Sequence, residues 1–204
     1  MGILPIAVSI LSVPPRHIMF RFRIAALLFS TVAFLGCESN PPTMNSPPAA
    51  AVTLDIKNWD ETLALVAQHK GKIVVLDVWS TSCEPCMIEF PHLVELHKQH
   101  GSAKLVCMSA SCDYAGIKSK PPESYRDRVL EFLTKQNATF QNVLLNVESD
   151  TLFEKMELAS IPAVYVFGRD GKVAKRFDND NAKPGEDFTY TKDILPFVEK
   201  LLAK

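Results

Sequence analysis

The chain has 204 residues, 47% of them hydrophobic, and a formal net charge of -1, which suits one compact domain plus an appendage. A charge near zero with no basic stripe argues against nucleic acid as a partner. Five cysteines are odd in number and too few for a disulfide-built scaffold of this length, so the core must come from apolar packing.

Residues 19–37, MFRFRIAALLFSTVAFLGC, have the layout of an export signal. Arg21 and Arg23 form a positive start, residues 24–35 are an uncharged apolar run, and small Gly36 precedes Cys37. The run is about a dozen residues, in the signal-peptide range and short of the roughly 20 that a spanning helix needs. Phe34-Leu35-Gly36-Cys37 resembles the lipobox of bacterial lipoproteins, with Phe34 where Leu is usual. The resemblance implies that Cys37 is lipidated and becomes the new N-terminus. A plain signal peptide, or an uncleaved anchor lengthened by residues 1–18, are the alternatives. Met19 is better placed as a start than Met1, since residues 1–18 add nothing a signal needs.

The next stretch, ESNPPTMNSPPAAA, has no apolar periodicity and reads as a tether of up to roughly 40 Å if polyproline-like. The expected organisation is a signal over 1–36, a Pro-rich tether over 37–51 and a folded domain over 52–204. Such a domain is expected outside the cytoplasm, anchored at a membrane in a bacterial periplasm or its equivalent, where disulfides are permitted.

Within the domain, strand-like and helix-like stretches alternate. VTLDI (52–56) is a short strand, and 58–68 has helical spacing, with Trp59, Leu63, Val66 and Ala67 on one face. KIVVLDVW (72–79) is nearly all apolar, as a central buried strand requires. An amphipathic helix is expected over 86–100, with Phe90, Leu93, Val94 and His97 inward and Gly101 at its end. KLVCMSAS (104–111) is the next strand. Residues 122–136 form a helix lined by Tyr125, Val129, Phe132 and Leu133. FQNVLLN (140–146) is a strand, and 149–158 a helix with Ser149 as N-cap. Residues 162–177 make a β-hairpin around Arg169-Asp170-Gly171. A polar loop, DNDNAKPGEDFT (178–189), leads to a last helix over 193–202. The pattern implies an α/β sandwich with a mixed sheet.

Cys83 and Cys86 fall where the apolar strand hands over to a helix. Cys83 sits at or just before the helix start, and Pro85 lies in the first turn, where its missing N–H costs nothing. Free N–H groups and the positive helix end then favour a Cys83 thiolate. Cys86 is one turn on, near enough to bond Cys83 and more sheltered, which suits a resolving thiol.

The run Asp77-Val78-Trp79-Ser80-Thr81-Ser82-Cys83-Glu84-Pro85-Cys86 resembles the active-site segment of the thioredoxin superfamily. It is most similar to the TlpA-like extracytoplasmic thiol–disulfide oxidoreductases, several of which carry Cys-Glu-Pro-Cys. The resemblance covers roughly 52–204 and implies a thioredoxin-like three-layer sandwich. Residues 113–146 resemble the extra helix-strand insert of the TlpA-like branch. By the same resemblance Asp77 takes the proton of the resolving cysteine, Pro91 kinks the active-site helix, and Ile161-Pro162 is a cis-proline that guides an incoming backbone. The catalytic set so implied is Cys83, Cys86 and Asp77, and the partner-contacting set Trp79, Glu84, Pro85, Ile161 and Pro162, with Trp79 also packing to shield the pair. Ser82 departs from the bulky residue usual before the first cysteine, Cys107 and Cys112 lie outside the shared pattern, and the 178–189 loop is longer than expected.

Other readings weigh against this one. Cys83-x2-Cys86 with Cys107-x4-Cys112 approaches zinc-ribbon spacing, but a long helix with a proline kink separates the pairs and Cys107 lies inside an apolar strand. A structural disulfide is a further alternative. A copper-site assembly protein would have a three-residue gap and a distant His, whereas His92 and His97 lie on the active-site helix as surface and packing residues. A peroxiredoxin needs a lone peroxidatic cysteine with a Pro and Thr signature, which Thr81 alone does not supply. Cys107 reads as a small core residue; Cys112 is a free thiol, a partner for Cys107, or an auxiliary redox group. The polar cluster at 178–181 lacks calcium-loop spacing.

Glu84 places a negative charge beside Cys83 and opposes a thiolate there, so the pair leans towards a reductant rather than an oxidant. The TlpA-like resemblance leans the same way, towards reduction of particular disulfides, as in cytochrome c maturation. It implies a protein disulfide as substrate, a membrane thiol as electron donor and a lipid anchor. No metal and no cofactor beyond the Cys83–Cys86 disulfide are expected, and the domain is expected to be monomeric. The competing class is a non-catalytic module that binds metal or a partner protein through the same edge.

Overall fold

The computed structural model describes residues 50–204 apart from 102 and 184. The signal over 1–36, Cys37 and most of the tether lie outside the described residues. Among the described residues no helix is long and apolar enough to cross a membrane.

The chain order is β1 (Asp55–Lys57), α1 (Trp59–Ala67), β2 (Ile73–Trp79), α2 (Glu84–His100), β3 (Leu105–Ser111), α3 (Arg126–Gln136), β4 (Gln141–Leu145), α4 (Ser149–Met156), β5 (Ala163–Phe167), β6 (Val173–Phe177) and α5 (Leu195–Leu202). One six-stranded sheet has the order β1-β4-β3-β2-β5-β6. Strands β1 to β4 pair in parallel, β5 adds antiparallel to β2, and β6 antiparallel to β5. This is the expected mixed α/β sandwich.

Period-two alternation along β2 divides the core into two layers. Ile73, Val75 and Trp79 face one cluster, with Phe90, Leu93 and Val94 of α2, Val129 and Leu133 of α3 and Val198 of α5. Val74, Leu76 and Val78 face the other, with Trp59 and Val66 of α1 and Leu152 and Met156 of α4. Every β2 residue is buried, which is why its sequence reads as a continuous apolar run. Asp77 is the one charged residue in that run and shares the odd-numbered face.

Local chemistry explains the element ends, and several differ from the sequence reading. Asn58 caps α1 through a capping box with Glu61: its Oδ1 accepts from the Glu61 N–H at 2.9 Å, and Glu61 accepts from the Asn58 N–H at 2.7 Å. The helix expected over 122–136 is a 3₁₀ turn, Pro122–Tyr125, followed by α3, whose end is closed by Asn137 at φ 55°. Ser149 is the first residue of α4, not its cap; Glu148 holds that position without a side-chain hydrogen bond. The last helix is preceded by a π-helical turn, Tyr190–Ile194, three residues earlier than expected. The strand expected over 52–56 starts only at Asp55, where pairing with Val143 of β4 begins.

One buried amide ties the β4 side of the sheet together. Asn142 is 1% exposed. Its Nδ2 donates to the carbonyls of Thr53, Ala138 and Phe140 at 3.1, 2.9 and 2.8 Å, and its Oδ1 accepts from the Ser109 hydroxyl at 2.8 Å. Removing it strands buried acceptors, each costing about 1–3 kcal/mol. Asn142→Ala is expected to lower the unfolding free energy by about 2–4 kcal/mol, read from urea unfolding at neutral pH.

Candidate active site

The turn after β2 brings Cys83 to the head of α2. Cys83 is the N-cap, with extended backbone, and its Sγ accepts from the Cys86 N–H at 3.3 Å. The helix dipole and free N–H groups therefore converge on this sulfur. Helix α2 begins at Glu84, two residues earlier than the sequence pattern marked, because Glu84 and Pro85 tolerate the first turn. Cys83 and Cys86 are joined by a disulfide. Cys83 is half-buried, whereas Cys86 is 2% exposed, so a partner can reach only the first sulfur.

Asp77 lies in β2 ahead of that turn and is 3% exposed. Burial raises its proton affinity; a hydrogen bond from Tyr190 acts the other way, and the Glu89 charge adds to the rise, leaving the carboxyl at about 7. The Tyr190 hydroxyl donates to Asp77 Oδ2 at 2.7 Å, and the Tyr190 N–H donates to Glu89 Oε2 at 2.8 Å. Sequence reasoning named Asp77 but missed Tyr190 and Glu89. Tyr190 is 113 residues from Asp77, in a turn that no apolar period announces.

A second buried carboxylate, also missed, fixes the turn itself. Asp113 is 5% exposed. Its Oδ2 accepts from the Thr81 N–H at 3.0 Å and from the Ser111 hydroxyl at 2.6 Å. Its Oδ1 accepts from the Thr81 hydroxyl and, at 2.6 Å, from Arg128 of α3. Thr81 is thus anchored to the end of β3 two residues before Cys83. Ser82, the unexplained residue of the motif, belongs to the same turn. Its N–H donates to Ser80 Oγ at 3.2 Å, and the two hydroxyls lie 2.8 Å apart.

Ile161-Pro162 is a cis peptide, and the Ile161 carbonyl oxygen lies 3.8 Å from Cys83 Sγ. Beside it a groove of about 360 Å³ is lined by Pro85, Ile88 and Glu89 of α2, by Ile161 and Pro162, and by Asp187, Phe188 and Thr189 at the end of the polar loop. Ile88 is 64% exposed there, a large apolar side chain at the rim. The structure therefore groups Cys83, Cys86, Glu84, Pro85, Ile161 and Pro162 around the turn from β2 to α2, while Asp77 lies in β2 and is linked to α2 through Tyr190 and Glu89. Trp79 does not join them as a partner contact. It is fully buried, 4.9 Å from Phe90 and 4.7 Å from Phe132 between ring centroids, and offers an incoming chain no surface. Pro91 sits inside α2 as expected.

Cys107 and Cys112 are free and buried. They are five residues apart along β3 and its continuation, an odd spacing that sends their side chains to opposite faces of the sheet. Cys107 packs in the layer of Cys86, Cys112 in the layer of α1 and α4. They form neither a second disulfide nor, with Cys83 and Cys86, a four-sulfur cage. Burial pushes both thiols far above the ordinary range.

The AhpC/TSA family matches residues 47–176. Over 106 residues the chain is 26% identical to the thiol-disulfide oxidoreductase ResA of Bacillus subtilis (strain 168), covering 52% of each protein. Over 138 residues it is 24% identical to the thiol:disulfide interchange protein CycY of Rhizobium leguminosarum bv. viciae, covering 68% of this chain and 64% of that one. The match thus spans about half the length of the first relative. Among solved structures, the thioredoxin-like superfamily protein SPOA0173 superposes with a TM-score of 0.52 over 68% of this chain and 85% of its own, at 13% identity, a likeness of fold.

Two outcomes are expected from this geometry. Between about pH 4 and 7 the folded chain keeps a proton on Asp77 that the unfolded chain has lost, so this group makes stability fall as pH rises. Asp77→Asn should match the parent near pH 4 and exceed it by a few kcal/mol above pH 8, in urea unfolding series across that range. Native alkylation after reduction should modify Cys83 first, with the buried Cys86, Cys107 and Cys112 labelled once denaturant is added, as mass spectrometry would show.

Proposed function

We propose, for a chain that belongs to the AhpC/TSA family, that it is a thiol–disulfide oxidoreductase whose redox couple is the Cys83–Cys86 pair itself. The observation that carries the reading is the asymmetry of the pair: an accessible sulfur on the helix N-terminus, bonded to a buried one. Cys83 has its partner three residues on, which supports dithiol exchange over the lone-cysteine chemistry of a peroxidase. Relatives named as a thiol-disulfide oxidoreductase and a thiol:disulfide interchange protein support the same class.

The pair acts in the reductive direction. The Cys83 thiolate attacks one sulfur of a partner disulfide, the other partner sulfur leaves as a thiolate, and a mixed disulfide remains. Asp77 takes the Cys86 proton. The Cys86 thiolate then attacks Cys83 Sγ, the Cys83–Cys86 bond forms, and the second partner sulfur leaves. Two electrons pass to the partner, whose thiolates take up protons. A dithiol donor at the membrane restores the pair by the reverse exchange. The partner segment lies in the groove beside Ile161-Pro162, where Ile88 and Phe188 offer apolar contact and Glu89 and Asp187 negative charge.

Glu84, exposed at the first position of α2, sets the direction. Its charge offsets the helix dipole at Cys83, which supports a reductant with a potential nearer about -270 mV than the roughly -120 mV of a strong oxidase. The signal-like and lipobox-like stretch over 19–37 supports export, lipidation at Cys37 and anchorage at a bacterial membrane, and the TlpA-like motif supports a place in cytochrome c maturation, with the domain acting as a monomer.

Cys86→Ser, expressed with Cys83 intact, should accumulate a mixed disulfide with the partner, which mass spectrometry identifies; Cys83→Ser should trap nothing. Equal trapping by both variants, or by neither, would sink the exchange mechanism. The potential of the pair, from equilibration with glutathione, should fall below about -180 mV.

A further inference from the structure

We propose that Tyr190 is a positioning residue for Asp77: from the turn before α5, its hydroxyl holds the carboxylate in place and favours the charged form. This rests on the reading of Asp77 as the group that takes the resolving proton.

The geometry carries the inference. Asp77 lies mid-strand, opposite Ser109 of β3 and Val164 of β5. Val164 is apolar, and the Ser109 hydroxyl is committed to Asn142. The donor that reaches the carboxylate comes from outside the sheet: Tyr190, 1% exposed, at 2.7 Å. The turn that carries it is itself fixed. Thr189 Oγ1 accepts from the Lys192 N–H at 3.2 Å, the Thr189 N–H donates to Asp193 Oδ2 at 3.0 Å, and Glu89 of α2 accepts from the Tyr190 N–H. A phenol this deeply buried stays protonated, since burial and the Asp77 charge both raise it well above its usual value. It therefore keeps a proton to donate to Asp77, and a donor stabilises the charged carboxylate over the neutral acid.

The other groups around Asp77 push the opposite way or are neutral. Glu89 of α2 disfavours a second negative charge nearby. Cys107 of β3 and Cys112 beyond it feel the Asp77 charge as buried, protonated thiols. The Cys83–Cys86 pair heads α2 and supplies the proton to be moved. Tyr190 is thus the counterweight that keeps a buried acid able to release its proton near neutral pH.

The test uses the full chain labelled with ¹³C at aspartate carboxyl carbons, with Asp77→Asn assigning the signal. In Tyr190→Phe the Asp77 titration midpoint should rise by about one pH unit, the size of one lost charge-assisted hydrogen bond. With 3-fluorotyrosine incorporated at position 190, a stronger donor, it should fall. The midpoint of the pH profile for reduction of an insulin disulfide should move in the same directions, and Asp77→Asn should flatten that profile. Midpoints unmoved in both folded variants would overturn the inference. If Tyr190→Phe does not fold, the nearly isosteric fluorinated chain decides alone. If the carboxyl midpoint moves while the rate profile stays, the role of Asp77 in exchange fails, and the hold of Tyr190 on Asp77 stands.

Discussion

A carboxylate inside an apolar strand is the constraint on which the rest depends. β2 is buried on both faces, so Asp77 has no route to solvent and no neighbour in the sheet that neutralises it. An unpaired buried charge is expensive, and the fold answers in two ways: it leaves the acid near the point where it can be neutral, and it brings a phenol from the far end of the chain to bond it. The C-terminal segment is therefore part of the site, although its residues show none of the motif. Its approach also closes the groove, because Phe188 and Thr189, which wall it, directly precede Tyr190.

The second constraint is the turn from β2 to α2. A nucleophile on a loose turn would not hold its place above the helix axis. Here the turn is bound from β3: Asp113 takes both the N–H and the hydroxyl of Thr81, and Arg128 balances its charge from α3. Ser80 and Ser82 complete it with short local bonds. Asp113 and Arg128, both within the 113–146 insert, thus supply the brace for the cysteine turn. Behind the turn, Trp79, Phe90 and Phe132 pack tilted or edge-on and back Cys86 with a dry wall.

Much of this was legible in the sequence because period and punctuation are local. The uniform apolarity of residues 73–79, the Gly101 stop and the Cys-Glu-Pro-Cys helix start each follow from neighbours a few residues away. Asp77 stood out as a charge in an apolar run. What stayed hidden depends on contacts far apart in the chain. Tyr190 and Asp113 look like ordinary loop residues until the sheet brings them to positions 113 and 32 residues away. Trp79 packs as the shielding reading has it, but is no partner contact, because the pleat aims it inward although its place in the motif is next to the exposed turn. Ser149 was taken as a cap on residue type alone, yet the helix begins one residue earlier in register.

The opposite facing of Cys107 and Cys112 has a further consequence for how electrons could flow. Four cysteine sulfurs lie within the folded domain, yet they make one two-electron cell and no relay, since one pair is bonded and the other two are free thiols buried on opposite faces of the sheet. No internal wire leads to a second docking face. For the exchange proposed above, the donor that charges the cell and the acceptor that drains it must meet Cys83 at the same edge, one after the other. The two encounters are mutually exclusive, so an excess of either partner competes with the other for a single port.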